Sequence, residues 1–116
     1  MDNRILRPST LDEFKAIVNQ IPFFIVKFTA SWCGPCKRSQ PLINKLFSQL
    51  PEDFYYVEVD IDKPIKCVAN KLRVKSVPTM MNYKNGMGEF MVVGSDEVKI
   101  RNFFMNVTKS YHSKNK

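Results

Sequence analysis

The 116 residues are 44% hydrophobic and 25% charged, the balance of one globular domain that can bury a core without disulfide staples or a structural metal. Three cysteines are too few for a disulfide scaffold, and no stretch approaches the roughly 20 apolar residues of a membrane span. The net charge of +7 comes from scattered Lys and Arg without interleaved aromatics, which argues against nucleic acid as a partner.

The opening Met1-Asp2-Asn3-Arg4 has an early acidic residue and no apolar run behind it, so no secretory signal is expected. A reducing, cytoplasmic setting follows, in which a Cys pair is catalytic or metal-binding rather than structural. Thr10-Leu11-Asp12-Glu13 has the spacing of a capping box, in which a hydroxyl and a carboxylate each satisfy an orphan N–H. Behind it Leu11, Phe14, Ile17, Val18 and Ile21 recur at helical spacing until Pro22 ends the helix. Residues 23–28 are apolar except for Lys27, a pattern that predicts a central strand covered on both faces.

A second helical stripe, Leu42, Ile43, Leu46, Phe47 and Leu50, follows the two cysteines Cys33 and Cys36, with Pro41 predicting a kink. A strand over 54–61 and a short helix over 64–72 come next. Residues 79–83 and 89–93 flank Asn85-Gly86, a tight-hairpin signal because both positions tolerate positive φ. Ile100, Phe103, Phe104, Val107 and Tyr111 mark the last helix, with Asp96 and Glu97 at the positive end of its dipole. A short edge strand before Thr10 is optional in this reading. Helices between strands imply parallel pairing, and the hairpin adds antiparallel strands. The expected fold class is α/β: one domain over 1–116, core about 10–108, with 109–116 a flexible basic tail.

The informative motif is Cys33-Gly34-Pro35-Cys36. Two cysteines at a helix start can close a small disulfide, and the first faces unsatisfied N–H groups that favour its thiolate. Cys33 is therefore the nucleophile. Cys36, one turn deeper and less exposed, resolves the mixed disulfide by attacking Cys33. Trp32 shields the pair and offers a flat apolar contact. A zinc site needs about four ligands, and only Cys67 and His112 remain as further soft donors, so no metal is expected. A purely structural bridge is disfavoured because so short a loop constrains little of the unfolded chain.

Ala30-Ser31-Trp32-Cys33-Gly34-Pro35-Cys36-Lys37 resembles the active site of the thioredoxin family. Pro41, Val59-Asp60-Ile61-Asp62, Val77-Pro78-Thr79, Lys84-Asn85-Gly86 and Val93-Gly94 extend the resemblance over about residues 10–108. It implies a thioredoxin-like fold, a mixed central sheet of four to five strands with helices on both faces. It further implies reduction of protein disulfides without a cofactor, electrons supplied by a separate thioredoxin reductase, no membrane partner, and a monomer. In this family Val77-Pro78 is a cis peptide beside the sulfurs, and Trp32, Gly34, Pro35, Val77, Pro78 and Gly94 form a shallow substrate-docking surface. A thioredoxin-fold binding module is the competing class, but a pure binding role leaves no need for both cysteines.

One position departs from the family, which carries a buried Asp six residues before the first Cys; here it is Lys27. Three readings stay open. Lys27 snorkels to solvent, or it pairs with Glu58 on the next strand, or it is desolvated and serves as the base for Cys36. In the last two a cation near the sulfurs stabilises the reduced form, making the pair a stronger oxidant. Cys67 reads as an inert small hydrophobe, with a regulatory or chain-linking thiol as the alternative.

Overall fold

The computed structural model describes residues 2–113. A short 3₁₀ turn, Asp2–Arg4, leads into β1 (Ile5–Leu6), followed by α1 (Leu11–Gln20), β2 (Phe23–Thr29), α2 (Gly34–Ser48), β3 (Tyr55–Asp60), α3 (Lys66–Lys71), β4 (Thr79–Lys84), β5 (Met87–Val93) and α4 (Glu97–His112). The five strands form one sheet in the order β1-β3-β2-β4-β5. β1, β3 and β2 run parallel, whereas β4 is antiparallel to both β2 and β5. This is the expected mixed sheet at its upper strand count, with the optional edge strand present.

Alternation along the strands decides what each face receives. Phe24, Val26 and Phe28 point to one side, where Phe14 of α1 and Val68 and Ala69 of α3 complete a buried cluster. Ile25 points to the other side, into a cluster with Ile43 and Phe47 of α2 and Ile100, Phe103 and Phe104 of α4. Lys27 shares the Ile25 face by the same period-two rule. The sequence thus sends a charged side chain beneath α2, the helix that carries the cysteines.

Local chemistry fixes the element ends. Thr10 Oγ1 accepts from Glu13 N at 3.1 Å, while the Glu13 carboxylate reaches Ser9 N at 2.6 Å, one residue earlier than a strict capping box. Asp96 caps α4 by accepting from Lys99 N at 3.0 Å. Asn85 and Gly86 both have positive φ, 52° and 84°, and they form the whole turn, so β5 begins at Met87 rather than Glu89. α2 continues as one helix through Pro41. α4 extends to His112, four residues into the stretch expected to be a tail, because Lys84 Nζ donates to Ser110 O at 2.6 Å and holds its last turn. Residues 114–116 lie outside the described residues.

Candidate active site

Cys33 is the N-cap of α2, and its sulfur accepts the Cys36 N–H at 3.1 Å. A sulfur in this place usually held by Ser or Asp satisfies one of the helix's orphan donors and lies in its positive field. Cys33 and Cys36 are joined as a disulfide with Cα atoms 5.3 Å apart. Both are buried in this oxidised form, 3% and 2% exposed, so the expected difference in exposure is absent: the bond ties the outer sulfur down against Ala30, Ile61 and Val77.

Trp32 is 67% exposed, and its indole Nε1 donates to Asp62 Oδ1 at 3.0 Å. The bond to Asp62 anchors it as an exposed apolar plate. Val77-Pro78 is a cis peptide. Val77 packs against the cysteine cluster while Pro78 itself is buried. Gly94 N donates to Pro78 O at 2.8 Å, and its φ of 93° suits glycine, with nothing within 4 Å of where a Cβ would sit. Thr79 Oγ1 donates to Ser76 O at 2.8 Å and braces the same loop. Val93, opposite Thr79 on β5, adds exposed apolar surface beside it.

The Lys27 side chain is 1% exposed, which excludes snorkelling. Its Cα partner on β3 is Glu58, as expected, but no direct ion pair forms between them. Arg7 Nε holds the Glu58 carboxylate at 2.9 Å, and the Lys27 amine turns under α2 instead. There Nζ donates to Cys36 O at 3.0 Å and to Gln40 Oε1. Gln40 passes its own donors to Asn44 Oδ1 and the Tyr56 hydroxyl. Burial lowers the Lys27 pKa from 10.5 to about 8, against an opposing pull from the Glu58 charge. The pairing with Glu58 expected from strand register is thereby corrected: α2 offers acceptors closer than the neighbouring strand does.

A cavity of about 650 Å³ opens beside this network, lined by Lys27, Cys36, Gln40, Arg7, Glu58 and Lys63 among others. Among the described residues no group of three or more His, Cys, Asp or Glu side chains could hold a metal ion. No helix among them is long and apolar enough to cross a membrane. Sequence reading missed Gln40, Asp62 and Arg7. Gln40 had a signal, since it lies one turn after Cys36 on the same helix face; Asp62 and Arg7 had none, being brought in by loop paths.

The family model for thioredoxin matches residues 6–106. Thioredoxin-1 of Saccharomyces cerevisiae is 39% identical over 93 residues, 79% of this chain and 87% of that protein. Mitochondrial thioredoxin O1 of Arabidopsis thaliana is 40% identical over 83 residues, 71% of this chain and 42% of that one. Among solved structures, oxidised thioredoxin O2 of Arabidopsis thaliana superposes with a TM-score of 0.81 at 28% identity, covering 93% of this chain and 97% of that one. The oxidised mitochondrial thioredoxin 3 of Saccharomyces cerevisiae gives 0.79 at 28% identity over 90% and 96%. A redox-active sulfur pair capping a helix, on a sheet of this order and with relatives of this kind, leaves one conclusion: the chain belongs to the thioredoxin family and is a thiol–disulfide oxidoreductase acting through Cys33 and Cys36.

Proposed function

We propose that the chain is a reductant of protein disulfides in which Cys33 attacks and Cys36 resolves. The observation that carries this division is the hydrogen bond from the Cys36 N–H to the Cys33 sulfur, which would favour a thiolate at Cys33 once the bond is reduced. The Cys33 thiolate attacks one substrate sulfur; the substrate S–S bond breaks and one substrate thiolate leaves. Cys36, as thiolate, then attacks Cys33 Sγ, expels the second substrate thiolate and closes the Cys33–Cys36 disulfide. Two electrons pass to the substrate, and a thioredoxin reductase restores them.

Substrate docks as an extended segment against Trp32, Gly34, Pro35, Val77, Pro78 and Gly94, a reading supported by the exposed indole and the half-buried Val77 beside the sulfurs. The chain acts as a monomeric single domain in the cytoplasm; the mitochondrial relatives make subcellular fractionation the check on compartment.

The test is reduction of insulin disulfides. Cys33→Ser should abolish turnover, and Cys36→Ser should trap a mixed disulfide on Cys33 that is visible by mass. Turnover surviving in Cys33→Ser would reject the assignment.

A further inference from the structure

The cavity beside α2 is lined by Cys36 but not by Cys33. It therefore reaches the second cysteine from the side of Arg7, Glu58 and Lys63, away from the docking loop around Pro78. That matters for the second half of the exchange. While substrate is bound through Cys33, the Cys36 thiol must lose a proton before it can attack.

We propose that Lys27 is the acid–base partner of Cys36, taking up the thiol proton across this cavity as Cys36 becomes the attacking sulfur. The inference rests on Cys36 being the resolving thiol. A neutral lysine amine has two N–H donors and one lone pair. The two donors go to Cys36 O and Gln40 Oε1, so the lone pair is the one valence left for a proton. Both acceptors lie on α2 and fix the amine beneath the helix that carries the thiol. In the step, the S–H bond of Cys36 breaks and an N–H bond forms on Lys27. The Cys36 thiolate displaces the substrate sulfur from Cys33, and the ammonium later returns its proton to the cavity and solvent.

The neighbourhood suits an amine that changes charge in the neutral range. The groups around it are Arg7 ahead of α1, Lys37 on α2, Tyr56, Glu58 and Asp60 on β3, and Lys63 after β3. On β4 the paired residue is the apolar Met80. Arg7 occupies the Glu58 carboxylate, so Lys27 lacks the tightly bound anion that would keep it protonated. Burial then brings its pKa to about 8.

The test is stopped-flow reaction of the reduced chain, in excess, with 5,5′-dithiobis(2-nitrobenzoate). Attack by Cys33 releases one thionitrobenzoate, and resolution by Cys36 releases the second. Lys27→Met should slow the second phase on the order of 100-fold at pH 7, the usual worth of a positioned base, and leave the first within about twofold. It should also remove the wild-type inflection of the second phase near pH 8. Lys27→Arg, permanently charged, should fail to restore the second phase. Equal slowing of both phases, an unchanged pH profile, or full rescue by Arg would overturn the proposal. Loss of the second phase in Cys36→Ser checks the resolving role separately, so that a failure there is not mistaken for a failure here.

Discussion

Lys27 separates what a sequence can and cannot tell about one residue. Its strand, its face and its register partner Glu58 all follow from period-two alternation and parallel pairing. Its actual partners do not, because they depend on how closely α2 lies over the sheet and on an arginine from the loop before α1. The same residue carries a stability cost with a definite sign. Folded Lys27 releases its proton near 8 and the unfolded residue near 10.5, so between these values the unfolded chain binds more protons and stability rises with pH. Below about 8 the cost is fully present, roughly 3 kcal/mol by the size of the displacement. Lys27→Met is therefore expected to raise the urea midpoint at pH 7, with the gain fading as pH climbs past 8. An equal gain at pH 7 and 10.5 would contradict this. The redox potential should follow the same charge: wild type more oxidising than Lys27→Met at neutral pH, the gap closing in alkali as the ammonium is lost.

Elements were legible where a periodic stripe met a chemical stop. α1 and α4 had both: the cap expected at Thr10 forms, and Asp96, expected only to complement the dipole, also caps its helix, each by a side-chain bond to the N3 amide. Thr10→Ala should cost about 1 kcal/mol and lower Tm by about 4 °C, read by thermal melting followed at 222 nm. Legibility failed where pairing outweighed propensity. Gly88 is a poor strand former and Met87 carries no strand signal, yet the two-residue turn brings them opposite Tyr83 and Lys84, and the ladder takes them in. The end of α4 departs from the expected tail for a similar reason. Lys109 to His112 are polar enough for a frayed terminus, but Ser110 is gripped by Lys84 and Glu89, and the Tyr111 hydroxyl donates to Asp53 at 3.0 Å. Ser110→Ala should loosen this last turn and speed amide exchange there, with the disulfide reaction unaffected.

At the scale of the molecule, two clusters on opposite faces of one sheet hold the site in place, and the helix bearing the cysteines is anchored through Ile43 and Phe47. Phe104→Ala should remove about 3 to 5 kcal/mol and shift the denaturation midpoint sharply without moving its slope much. The alternation of helices and strands foretold the mixed sheet, but no local pattern orders its strands, and β1, two residues long, carried almost no signal. That small strand has an effect on how the chain is made. Ile5 and Leu6 pair only with Tyr56 and Val57, and Arg4 reaches Phe54 across a separation of 50 residues. During synthesis this segment leaves the ribosome before the strand it pairs with, and it can zip onto the sheet edge only once β3 has followed. Arg7 travels with it, so Glu58 is claimed only once β3 has followed, and the electrostatic surroundings of the buried amine wait on that long-range closure.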